Sequence, residues 1–321
     1  MFFRPIGLNA EVTSIGASLS FEVPTTLRSI EDREKQSAAL TSLLAAVGLT
    51  AFKIVIGLLT GSLGILAEAA HSGLDLVAAL TTFLAVRVSG RPADSDHLYG
   101  HGKVENLSAL FETVLLLATC AWIAREAIHR LLHHRGEVEV TLWSFAVMLT
   151  SIAIDASRSR VLLRTARKYN SQALEADALH FQTDIWSSAV VILGLIAVKA
   201  GEWFPGLAFL SAGDAVAAMG VSVVVAWVSW RLGRRTVDAL IDSAPAGMEL
   251  RIATAVKAVP GVLGCHNLRI RYSGPKLFID LHVLVDGNQS LKQAHHLTEV
   301  IETAIEQIVP HADVTVHAEP G

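Results

Sequence analysis

Long apolar runs separated by short polar breaks dominate the first three-quarters of the chain. They cover 37–59, a second run closing at 88, then 104–132, 140–163, 176–200 and a sixth that ends near 231. A helix needs about 20 residues to cross a hydrocarbon core, so the pattern predicts six transmembrane helices. The breaks are of the kind that end helices. They are Thr60-Gly-Ser-Leu-Gly64, a polar connector over 89–103, His133-His134-Arg-Gly-Glu, the basic stretch Arg164-Thr-Ala-Arg167-Lys168, and Glu202-Trp-Phe-Pro-Gly206. Before the first run, residues 1–36 are mixed and polar, with Pro5, Pro24 and the charged cluster Glu31-Asp32-Arg33-Glu34-Lys35. They are expected to form a mobile cytoplasmic leader.

Past residue 244 the period changes. Residues 248–259 have helical apolar spacing, and Pro260-Gly261 stops it. Strand patterns follow at 266–272 and 277–285 around the turn Ser273-Gly-Pro275, then an amphipathic helix at 291–309 and a short strand at 312–317. The order α-β-β-α-β predicts a small two-layer α+β domain. The chain thus divides into a leader (1–36), a six-helix membrane domain (37–243) and a soluble domain (244–321).

Composition supports that division. The chain is 52% hydrophobic and only 17% charged, against about 25% charged in ordinary soluble domains, which marks an integral membrane protein. A net charge of −4 gives no argument for nucleic-acid binding. Of two cysteines, Cys120 falls in an apolar run and Cys265 in the soluble tail, so no disulfide joins them. Basic residues set the orientation. Arg158, Arg160, Arg164, Arg167 and Lys168 cluster between the fourth and fifth runs, Arg231, Arg234 and Arg235 follow the sixth, and Arg87, Arg91 and Lys103 flank the second connector. The opposite side has Arg130, Arg135 and Lys199, with Trp122, Trp143 and Trp203 placed as interfacial anchors. Both termini are therefore expected in the cytoplasm.

The second run carries Glu68-Ala-Ala-His71-Ser-Gly-Leu-Asp75, and the fifth carries His180-Phe-Gln-Thr-Asp184. A spacing of four puts each His above its Asp on one helix face. Ionisable residues at that depth are costly and mark function. One such pair can simply hold helices together by hydrogen bonds. Two pairs of the same order and spacing supply two nitrogens and two oxygens, the donor set a tetrahedral Zn²⁺ takes.

With these motifs stand the connector Asp94-Ser-Asp-His97-Leu-Tyr-Gly-His101-Gly-Lys103 and, in the tail, Cys-His266-Asn-Leu-Arg, Asp-Leu-His282, Gln-Ala-His295 and Thr-Val-His317. Taken together, from about residue 33 to the end, the chain resembles the cation diffusion facilitator family. The resemblance implies a homodimeric metal–proton antiporter of six spans with a cytoplasmic metallochaperone-like (ferredoxin-like) domain. It would export a divalent metal, Zn²⁺ foremost, from the cytoplasm across the cell (inner) membrane. It implies a transport site of His71, Asp75, His180 and Asp184, and a cytoplasmic loop site of Asp94, His97 and His101. A third site would comprise His266, His282, His317 and Glu319, with His295 as a bridging candidate. Glu319 stands where the family usually has Asp, and His296 is an extra neighbour. Lys103 and Asp242 match a salt bridge joining the membrane and soluble parts, and Glu68, one turn before His71, is an orienting partner or cavity-lining residue. Family members with Asp at the position of His71 are associated with broader acceptance of cadmium.

Other functions fit less well. An intramembrane metal hydrolase needs an open coordination position and an acid–base residue, and no His-Glu-x-x-His motif occurs, so no enzyme is expected. A metal-sensing membrane protein without transport remains an alternative. So does the same carrier with Fe²⁺, Co²⁺ or Cd²⁺ as main cargo, since two imidazoles disfavour only harder ions such as Mn²⁺.

Overall fold

The computed structural model describes residues 25–133, 142–203 and 213–321. The first 24 residues of the expected leader, most of the turn that begins at His133 and the end of the turn that begins at Glu202 lie outside these. Six long helices come first: α1 (Thr25–Thr60), α2 (Leu63–Ser89), α3 (Lys103–His133), α4 (Leu142–Tyr169), α5 (Gln172–Trp203) and α6 (Gly213–Leu240). Among the described residues three segments are long and apolar enough to cross a membrane, within α1, α2 and α3. The principal pairings are α1 with α2, α3 with α6 and α4 with α5. Small residues let the helices approach, as membrane interfaces favour. Ala39, Ala78, Ala109, Ala173, Ala176 and Ala178 are fully buried, and a Cβ on Gly233 of α6 would come 2.7 Å from Thr113 Cγ2 of α3.

Helix α1 starts at Thr25, twelve residues before the apolar pattern does. The charged cluster is helical because its side chains have partners in the bundle. Lys35 is buried against Glu105 of α3 at 3.2 Å, and Glu34 pairs with Lys168 of α4 at 2.6 Å. The basic cluster after the fourth run also needs correction. Arg158 is buried, held by Asp155 at 3.1 Å and lying 3.6 Å over the Phe181 ring. It therefore drops out of the charge count that sets orientation.

The soluble part has α7 (Met248–Lys257), β1 (Gly264–Ser273), β2 (Lys276–Val285), α8 (Leu291–Glu306) and β3 (Asp313–Pro320), the order the pattern predicts. β1 pairs antiparallel with β2 through a tight turn, whereas β3 pairs parallel with β2 and so needs the crossover that α8 supplies. The capping box of Ser290 and Gln293 starts α8. Ile279, Leu281 and Val283 of β2 are buried against Ile252 and Val256 of α7 and Ile301 and Ile305 of α8. Both helices thus cover one face of the sheet. Strand alternation sends Asp280, His282 and Leu284 to the other face.

Loop 90–102 ties the two parts together. Tyr99 meets Phe278 edge to face at 5.4 Å and lies 4.0 Å under the Arg271 guanidinium. Gly102 packs so closely on the Ser273 backbone that no Cβ fits, and Gly274 N–H donates to Asn106 Oδ1 at 3.0 Å. Lys103 Nζ reaches Asp242 Oδ1 at 2.9 Å, the expected salt bridge. Both side chains are partly exposed, so the pair is worth under about 1 kcal/mol and acts as a pin that water can open.

Candidate metal centre

Three groups of His and carboxylate side chains converge, and each is built from simple helix or strand spacing. In the membrane part, His71 and Asp75 stand one turn apart on α2, and His180 and Asp184 one turn apart on α5. The two helices cross so that each imidazole faces both carboxylates. His180 Nε2 lies 3.1 Å from Asp75 Oδ1 and 3.7 Å from Asp184 Oδ2. His71 Nε2 lies 3.9 Å from Asp75 Oδ1 and 3.9 Å from Asp184 Oδ1. Ligand atoms of Asp75, His180 and Asp184 are mutually within 4.8 Å. For metal–ligand bonds of 2.0–2.1 Å the edge of a tetrahedron is about 3.4 Å; the four approaches straddle that value, while His71 stands outside the group of mutually close ligand atoms. Asp184 Oδ2 and His180 Nδ1 are buried without a hydrogen-bond partner.

Glu68 is half exposed and hydrogen-bonds Lys53 Nζ at 3.3 Å. That ammonium also donates to Ser72 Oγ at 2.8 Å. Lys53 is nearly fully buried, so what interrupts the first apolar run is a cation placed beside the His71 turn.

The connector forms the second group. Asp94 Oδ1 accepts the backbone N–H of His97 at 2.7 Å and of Asp96 at 3.0 Å, and His97 Nδ1 lies 3.1 Å from it. His101 Nε2 lies 3.4 Å from Asp94 Oδ2, and the two imidazole rings are 4.3 Å apart. The His97 backbone N–H, joined by that of Asp96 and the His97 ring, holds the Asp94 carboxyl below the usual carboxylate range. Two nitrogens and an oxygen thus face one point, with His101 Nδ1 left unpartnered.

On the soluble domain, sheet register makes the third group. His266 pairs with His282, and His282 with His317, so three imidazoles form one row across the strands. Glu319 follows His317 by two, hence on the same face. Its carboxylate lies 2.7 Å from His282 Nδ1, 3.1 Å from His266 Nε2 and 3.7 Å from His317 Nε2. The His282 hydrogen bond, with the charges of His282 and His266, lowers the Glu319 pKa. The residue that departs from the family pattern therefore sits at the middle of the row. His295 and His296 are not brought to it. They lie on α8, across the sheet from the row, against Glu299 at 3.8 Å and 3.3 Å. Within one chain His295 is thus separated from the group it was expected to bridge.

Sequence reasoning also missed a set of buried polar residues on α1, α2, α3 and α5: Lys35, Ser42, Thr82, Glu105, Glu112 and Asp177. Their signal was a seven-residue spacing hidden in otherwise apolar runs.

The family model described as the cation efflux transmembrane domain matches residues 39–241, and that of the cation efflux protein cytoplasmic domain matches 247–321. The chain is 34% identical over 287 residues to the cation-efflux pump FieF of Cronobacter sakazakii, covering 88% of this chain and 92% of that one. It is 33% identical over 289 residues to the FieF of Klebsiella pneumoniae, with the same coverage. The solved structure MamM-CTD 215-293 is 32% identical over 23% of this chain and 95% of that one, at a TM-score of 0.22. Matched over both its parts, and along most of its length by cation-efflux pumps, this integral membrane protein belongs to the cation diffusion facilitator family of cation-efflux transporters.

Proposed function

We propose that the protein is a secondary carrier that exports divalent metal, Zn²⁺ foremost, from the cytoplasm in exchange for protons. The observation that carries this reading is the meeting of His71, Asp75, His180 and Asp184 at 3.1 to 3.9 Å from two helices. Two nitrogens and two carboxylate oxygens suit Zn²⁺ and leave Fe²⁺, Co²⁺ and Cd²⁺ as further cargo. Binding needs neutral imidazoles and ionised carboxylates, so each metal that enters expels protons and each proton weakens the site. When that competition is met alternately from two sides of the membrane, the result is exchange.

The remaining assignments follow from this reading. Helices α1 to α6 all span, with both termini in the cytoplasm and the protein in the cell (inner) membrane. Residues 37–243 form the transport domain and 244–321 a regulatory domain that supports a homodimer. The loop group and the row centred on Glu319 hold resident or regulatory metal, and His295 contributes across the dimer. Lys103 and Asp242 form the hinge between the two parts.

The test is uptake of Zn²⁺, Fe²⁺, Co²⁺ and Cd²⁺ into sealed vesicles that hold the purified protein, with and without an imposed pH gradient. Zinc uptake that rises with the gradient, and collapses when it is dissipated, is expected. Tight zinc binding with no flux under either condition would leave a sensor and overturn the carrier.

A further inference from the structure

The buried polar residues between the soluble domain and the transport site are arranged in levels. On α1, Lys35 and Ser42 are seven residues apart; on α3, Glu105 and Glu112; on α2, Ser89, Thr82 and Asp75; on α5, Asp177 and Asp184. Seven residues are two helical turns and about 10 Å, so each series stays on one face. At the first level Glu105 accepts from Lys35 Nζ at 3.2 Å, from Ser89 Oγ at 2.8 Å and from Ser171 Oγ. At the second, Thr82 donates to Glu112, and Ser42 donates to Asp177 Oδ2 at 3.3 Å. The third level is the transport site, reached at Asp75, His180 and Asp184. Four helices thus present one polar column whose outer end lies under the soluble domain, where Asn106 takes its hydrogen bond from Gly274.

Holding helices together does not account for the column. Polar glue in a membrane bundle is satisfied, yet Glu112 Oε2, Asp177 Oδ1 and His180 Nδ1 are all buried with no partner. Glu105, Glu112 and Asp177 are fully buried. Of these, Glu105 has the Lys35 ammonium beside it, which also reaches Glu31 at 3.3 Å and Asp32 at 3.8 Å. Asp177 has the buried Arg158 guanidinium behind Ser42, and Glu112 has its hydrogen bond from the neutral Thr82 hydroxyl. Buried carboxylates are strongly disfavoured unless cations face them. Lys35 occupies the outermost carboxylate as a tethered cation would.

We propose that Glu105, Glu112 and Asp177 line a conduit by which a divalent cation passes between the cytoplasm and the transport site, and that Lys35 is its plug. This rests on the carrier reading above. Glu31 and Asp32 gather cations at the mouth. An arriving divalent ion displaces the Lys35 ammonium from Glu105, and Glu112 and Asp177 hand it inward to Asp75 and His180.

The experiment measures initial zinc uptake against zinc concentration in vesicles of the full-length protein, for wild type, Glu112→Gln and Lys35→Met. Equilibrium zinc binding to each purified protein is measured by calorimetry alongside. Glu112→Gln keeps the volume and the Thr82 contact but removes the charge. It is expected to raise the KM for zinc at least fivefold, with kcat and zinc affinity within twofold of wild type. Lys35→Met is expected to raise uptake at low zinc at least threefold. It decides the matter alone if Glu112→Gln does not assemble. A merely structural role lowers kcat and thermal stability and leaves KM alone, and that pattern would overturn the conduit. So would wild-type KM in both variants while wild type carries flux, or lost flux matched by lost equilibrium binding. Absence of flux in wild type overturns the carrier, and the conduit falls with it.

Discussion

His71→Asp is the sharpest probe of selectivity at the proposed transport site. The imidazole it removes stands 3.9 Å from Asp75 and 3.9 Å from Asp184. A carboxylate in that place repels each of them by about 332/(20 × 3.9), or ~4 kcal/mol, at an effective dielectric of about 20. The metal-free variant therefore favours any cation or proton that relieves the crowding. A bound divalent ion still meets ligands on all sides, so zinc flux persists. What changes is geometric tolerance. An imidazole offers one nitrogen along one direction, whereas a carboxylate gives one oxygen or two. The larger, softer Cd²⁺ profits more from the second oxygen than Zn²⁺ does. A differential gain of about 1.4 kcal/mol would raise the cadmium-to-zinc flux ratio about tenfold. The assay is paired zinc and cadmium uptake by wild type and variant in one vesicle preparation, with zinc binding followed across pH. The expected outcome is a raised ratio and a steeper loss of zinc affinity as pH falls. An unchanged ratio with normal zinc flux would refute the reasoning and place selectivity in helix packing or in the Lys53–Glu68 pair.

Asp184→Ala or His180→Ala should abolish metal flux in a protein that still assembles; wild-type uptake in either would remove that pair from the transport site. His266→Ala with His282→Ala should shift the zinc dependence of uptake without stopping it, and complete loss in a folded double variant would make the soluble domain part of the cargo path. Because the Glu319 pKa is lowered on folding, its stabilising contribution is present above about pH 4.3, the unfolded value, and is lost as pH falls through the folded one. Thermal midpoints of wild type and Glu319→Gln with chelator should therefore differ above about pH 4.3, most while the facing imidazoles are protonated, and converge as pH falls below it; a gap that widens there would contradict the geometry. Gly102→Ala puts a Cβ against the Ser273 backbone, so it should loosen the soluble domain from α3, read as faster hydrogen exchange at 99–106 and 271–278 with metal binding at the transport site unchanged.

Spacing alone made the two His–Asp pairs legible, since four residues on a helix is one turn whatever surrounds it. Strand patterns of the soluble domain were nearly as readable, though only the register shows that His266, His282 and His317 share a face. Orientation of whole elements was not. His295 lies in a motif beside the other histidines in sequence, but the crossover that α8 makes from β2 to β3 carries it to the far side of the sheet. Lys35 read only as part of a charged cluster ahead of the first run, and only the packing of α1 against α2 and α4 turns it inward. Arg158 joined a basic cluster by composition, while Asp155 one turn back and the Phe181 ring draw it into the bundle. Local period reports a face; which neighbour covers that face is a tertiary fact.

The parallel pairing of β3 with β2 has a consequence for how the protein is made. During synthesis the helices α1 to α6 leave the ribosome before β3 exists. His266 and His282 emerge next, but Glu319 and His317 come only after α8 has been completed and has crossed over the sheet. A nascent chain with α1 to α6 already made thus presents two histidines on a half-built sheet and no carboxylate between them. The cluster closes in a single late event, when the residues of 313–320 dock along β2. The row on the soluble domain is thereby completed after the six long helices, and a ribosome stalled within α8 would release a chain whose helices α1 to α6 are complete but whose row cannot form.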